Sequence, residues 1–147
     1  MTPKRDELRR RLDTIESAYE YMLAYAAQGL PSESLARDGG KIRDELAGLA
    51  AALAGLGEAF ETFVAGEAVA AREEHLAFNR VLADDAGKAL AAVRLVLAQP
   101  GISSQLIDNA NASVHLRALL TDVFLVDEIL KVLGSSIPAA RAPSAPE

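Results

Sequence analysis

Residues 42–63 read IRDELAGLAAALAGLGEAFETF. In this stretch Ile42, Leu46, Leu49, Leu53, Leu56, Phe60 and Phe63 alternate spacings of four and three without a fault. That period is the seam of a helix packed on other helices, and it differs from the two-residue alternation of a half-buried strand. Gly48, Ala52 and Gly55 lie beside the seam, where small residues let another backbone come close. A mid-helix glycine costs roughly 1 kcal/mol relative to alanine. These glycines therefore predict either tight packing or a local break.

Toward the N-terminus, Thr2-Pro3 reads as a helix start, with proline where its missing N–H costs nothing. Leu8, Leu12, Ile15, Tyr19, Met22, Leu23 and Ala26 predict its buried face. Gly29 fits the residue after the helix end, and Pro31 prevents continuation. Toward the C-terminus, Gly66 is the one breaker before a third helix, and a tight turn is expected there. The alternative is a single long helix from about residue 41 to Ala98, which would need a second chain to cover it. Gln99-Pro100-Gly101 is a turn. Ser103 or Ser104 caps a fourth helix that stops at Gly134.

The expectation is an all-α protein, an antiparallel four-helix bundle with helices at about residues 3–28, 41–65, 67–98 and 103–133. Residues 1–134 form one domain, and 135–147 form a flexible tail rich in Pro, Ala and Ser. Composition agrees. The chain of 147 residues is 50% hydrophobic but only 5% aromatic, so its core is alanine and leucine rather than the β-branched and aromatic stock of a sandwich.

The net charge of −6 opposes phosphate backbones, so no nucleic-acid partner is expected. The absence of cysteine excludes disulfides, thiolate catalysis and thiolate metal sites. The N-terminus lacks an apolar signal core and no run is long enough to span a bilayer, which predicts a cytoplasmic protein without membrane insertion. Heavy use of Ala, Arg and Gly points to a GC-rich bacterial genome.

No catalytic residue, cofactor or metal is predicted. Arg72 stands three residues before His75 and Ala112 three before His115, so the Glu-x-x-His pairs of di-metal bundles are missing. No glycine-rich phosphate loop is present. The chemistry that needs explaining is a polar stripe. Placed at about 100° per residue, Arg72, His75 and Asn79 share the apolar face of the third helix. Asp108, Asn111, His115 and Asp122 share that of the fourth. Buried polar groups must find partners, so these seven residues are candidate ligand-binding positions in a pocket between the two helices. His115 is expected to be mostly buried and hydrogen-bonded. Tyr21, Tyr25, Leu106, Leu120 and Phe124 lie off the main seams and are candidates for an oligomer interface.

Five basic residues, Lys4, Arg5, Arg9, Arg10 and Arg11, crowd the first helix turns, and the first thirteen residues carry +2 against −8 in the remainder. That cluster reads as a solvated face with local ion pairs, or as a dock for an acidic surface. These features together favour a non-enzymatic helical interaction protein, a regulator or adaptor with an unidentified protein partner, acting as a homodimer. The competing reading is a small-molecule-binding bundle, or a cofactor-free enzyme, that uses the polar stripe.

Overall fold

The computed structural model describes residues 3–67 and 70–141, with residues 134–141 as backbone only. The described residues are all-helical, without a strand. There are six α-helices: α1 (Pro3–Ala26), α2 (Ile42–Ala54), α3 (Leu56–Gly66), α4 (Arg72–Leu97), α5 (Ser104–Ala112) and α6 (Val114–Arg141). A short 3-10 turn, Glu33–Leu35, lies between α1 and α2. Both α1 and α4 pack against all four of α2, α3, α5 and α6. One continuous core joins them. No single helix among the described residues is long and apolar enough to cross a membrane.

Six helices replace the expected four because two of the expected rods are broken. The second breaks at Gly55, which adopts φ −120° and ψ 15° and sends its N–H to the Leu53 carbonyl. The axis bends by 45°. The seam survives the bend: Leu46, Leu49, Leu53, Leu56, Phe60 and Phe63 are all buried. The cause lies on another helix. Arg11 of α1 donates from Nη1 to the carbonyls of Ala51 and Ala52, at 3.1 Å each, while its Nε is held by Glu7 at 2.7 Å. Those carbonyls lose their helical donors at the break. A Cβ on residue 55 would stand 2.8 Å from Arg11 Nη2, so glycine leaves the guanidinium its place.

The fourth rod breaks at Ser113, whose ψ of 134° is that of extended chain. Its hydroxyl accepts the His115 N–H at 3.2 Å and so caps α6. The run Asn109-Ala110-Asn111-Ala112-Ser113 is locally suited to such an interruption, because Asn and Ser compete with the helix for backbone groups. The α6 backbone then runs through Gly134, the expected stop, to Arg141. The rest of the expected tail lies outside the described residues. The single long helix over 41–98 is not formed: α3 ends at Gly66, and α4 begins at Arg72, after Ala71 in the left-handed region (φ 57°).

One end of the molecule is tied by hydrogen bonds. Gly29, with φ +66°, turns the chain out of α1. Ser103 caps α5 by accepting the Leu106 N–H at 3.0 Å. Ser104 Oγ donates to the Tyr25 carbonyl at 2.7 Å and accepts from Leu30 N–H at 2.8 Å. Glu33 accepts the Ile102 N–H at 2.7 Å and Arg43 Nε at 2.6 Å. Arg43 also donates to the carbonyls of Leu97 and Gln99 at the end of α4. A single carboxylate thus links the 27–41 connector to the 98–104 turn.

On α1, Leu8, Leu12, Ile15 and Met22 are buried as expected, but Ala18 and Tyr25 join them while Leu23 is exposed. After Ile15 the buried stripe steps three residues to Ala18 instead of four to Tyr19, and the drift carries it to Tyr25.

Candidate functional site

The seven polar candidates do not converge. Asn79, Asn111 and Asp122 are buried, and each turns to a different neighbour. The Asn79 carbonyl oxygen points toward Gly57 of α3 and has no donor among the described residues. Asn111 donates from Nδ2 to the Met22 carbonyl of α1 at 3.3 Å. Asp122 lies against Asp85 of α4. His75 is half-buried, with its ring stacked on Phe60 at 6.3 Å and Nδ1 2.8 Å from the Ala71 carbonyl. Arg72, Asp108 and His115 are exposed.

The burial expected of His115 is therefore incorrect. The expectation puts His115 on the line of Asp122, seven residues on, but the helix restarts at Val114, so His115 stands in the first turn of α6 while Asp122 stands well inside it. Asn111 lies before the break and keeps its inward position. His115 follows it and faces solvent.

Asp85 is the residue that sequence reasoning misses. The adjacent pair Asp84-Asp85 is the available signal, since two neighbours on a packed helix occupy different faces. Asp84 is exposed and meets Lys88 at 3.2 Å; Asp85 is the inward member. Burial, followed by the hydrogen bond and charge of Asp85, raises the Asp122 carboxyl to about 7. Asp122 Oδ2 has no donor among the described residues. Two carboxylates are too few ligands for a metal cradle, and no group of three or more metal-ligating side chains occurs among the described residues.

The basic start of α1 turns inward in part. Arg9 pairs with Asp127 of α6. Arg5 donates to the Leu130 carbonyl at 2.7 Å and lies 5.9 Å from the Phe63 ring centre. Arg11 caps α2, and Arg10 meets Glu7 at 2.9 Å. Glu16 sits beside the same Arg9–Asp127 pair. Burial, followed by the charge of Asp127, raises its pKa. These arginines fasten α1 to α6 and α2, which is the local ion-pair reading of the cluster.

Of the interface candidates, Tyr25 and Leu120 belong to the core instead. Tyr25 donates its hydroxyl to the Ile102 carbonyl at 2.6 Å. Wheel phases that ignore the drift of α1 and the Ser113 break place both residues outside. Leu106 is half-buried against the core, and Tyr21 bonds Asp38. Phe124 does face outward, at 50% exposure, with Leu125 at 49%, Val132 at 54% and Val114 at 69% on the same helix. An open cleft of about 440 Å³ lies between Gly29-Leu30-Pro31 and the start of α5, with Asp108 at its edge. The Ser104 hydroxyl on its wall is already bonded on both sides. Comparison of the chain with protein-family models, with curated proteins and with solved structures found no match.

Proposed function

We propose that this chain is a non-enzymatic helical interaction module, an adaptor or regulator of another protein, that acts as a homodimer. One observation carries the reading: large apolar side chains remain on the outside of α6, while the polar candidates are dispersed among separate contacts. Isolated exposed leucines are ordinary, but several along one helix mark a surface that excludes water with a partner. We read the bent pair α2–α3 and the broken pair α5–α6 as two members of an antiparallel four-helix bundle, with α1 and α4 as the others. Each of α1 and α4 contacts both pairs, which supports that reading.

The test is mass in solution. Light scattering on the eluting protein should give twice the chain mass at micromolar concentration. A strict monomer at high micromolar concentration removes the homodimer. The small-molecule reading predicts instead that Asp122→Asn abolishes a binding signal in a metabolite screen.

A further inference from the structure

On α6, the positions Val114, Ala118, Thr121, Leu125, Glu128 and Val132 follow one another at spacings of four, three, four, three and four. This is a complete heptad seam, and it is not the one that meets the core. The core stripe of the same helix is Leu116, Leu119, Val123, Val126 and Leu130, all buried. The second seam lies on the opposite side. Ala118 is half-buried, and the other five are exposed. At 1.5 Å per residue it is about 27 Å long. A heptad seam is a surface for another helix with the same period.

Charge identifies that helix. Arg117 and Glu128 stand eleven residues apart on nearly the same line, near opposite ends of the seam. Neither makes a side-chain hydrogen bond or ion pair among the described residues. Lys131, nearby, lies 3.8 Å from Asp127 of its own helix. A second copy of α6 running antiparallel brings Arg117 of each chain to Glu128 of the other, twice, by one symmetry operation. The same register places Val114 opposite Val132, Thr121 opposite Leu125, and the small Ala118 opposite Glu128, so the carboxylate has room to turn toward arginine. Phe124 meets its own copy at the axis and covers the flank. A parallel pair would set glutamate on glutamate within the seam.

We infer that two copies of this chain associate through the outer face of α6, antiparallel, about a two-fold axis at the level of Val123. The inference rests on the homodimer reading above and assigns its surface and geometry.

The chain has no cysteine, so introduced thiols report cleanly. Under mild oxidation, Val114→Cys chains mixed with Val132→Cys chains should cross-link to each other, and Val114→Cys alone should not. Leu125→Glu should weaken the dimer by at least about 30-fold while helicity and thermal midpoint of the monomer hold, because Leu125 supports no core contact. Arg117→Glu should weaken it too, and Arg117→Glu combined with Glu128→Arg should restore it. Self-coupling of Val114→Cys would overturn the antiparallel geometry. A dimer indifferent to Leu125→Glu would overturn the surface but leave the homodimer standing. A wild-type monomer would remove both. A wild-type monomer whose different protein partner is lost on Leu125→Glu would give the seam to that partner.

Discussion

At the residue scale, α3 and α4 approach closely at Gly57. A Cβ there would lie 2.7 Å from Ala83 Cβ and 3.2 Å from Ala83 Cα, where α3 crosses α4. Neither atom is the far end of a flexible side chain, so the two helices must move apart. Gly57→Ala should cost about 1–3 kcal/mol, as overpacking does, read from the urea midpoint. Gly87 lies on the exposed side of α4, and a Cβ added there would meet nothing within 4 Å. Gly87→Ala should therefore stabilise by up to about 1 kcal/mol through helix propensity alone. Opposite signs for one chemical change separate packing from propensity. Leu53 is buried on the seam, and Leu53→Ala should cost roughly 2–5 kcal/mol. Equal midpoints for Leu53→Ala and wild type would contradict the seam. The burial of Leu53, Asn79 and Asp122 is legible in the sequence because each lies within an unbroken periodic run. Their partners are not, since Asp85 and Gly57 are chosen by how helices cross, which periodicity does not encode.

At the scale of elements, the two breaks arise by different routes. The run 42–63 keeps a faultless seam across a 45° bend, because Leu53 and Leu56 face the core on either side of it. The agent of the bend, Arg11, lies 41 residues from Ala52 in sequence. Gly55 makes a break possible; only the arriving guanidinium makes it stable. Arg11→Ala should strip two donors from the carbonyls at the end of α2. Charged hydrogen bonds are worth about 1.5–3 kcal/mol each at most, and water will replace part of that. A loss near 1–2 kcal/mol is expected, with faster amide exchange at residues 54–58 and little change elsewhere. Uniform exchange across the chain would mean that Arg11 does not hold the bend. At Ser113 the break has local causes, yet a single phase carried through it hides the heptad on its C-terminal side. Restarting the phase at Val114 exposes the outer seam of α6.

At the scale of the whole molecule, two carboxylates set opposite limbs of the stability–pH curve. Glu33 is lowered from an ordinary 4.5 to about 2, first by the Ile102 N–H and then by Arg43. A depressed acid stabilises the fold above its unfolded value, and that contribution is lost as pH falls from 4.5 toward 2. Asp122 behaves in the reverse sense. Its carboxyl is raised from 3.8 to about 7, so the folded chain holds a proton that the unfolded chain releases. Its favourable protonated form is fully available below 3.8, and stability drains away as pH rises through about 7. The two effects predict greatest stability near about pH 4, between the ordinary values of Asp122 and Glu33. Asp122→Asn keeps the shape and removes the charge, and a carboxamide can donate to Asp85. The variant should match wild type near pH 4 and exceed it at pH 8, by on the order of 1 kcal/mol. Glu33→Gln should do the opposite: it should lose stability at pH 7 and converge on wild type near pH 2. Urea titrations at pH 4 and 8 decide the first case. If Asp122→Asn gains nothing at pH 8, the Asp85–Asp122 contact is not the buried, proton-sharing pair that its place between α4 and α6 implies.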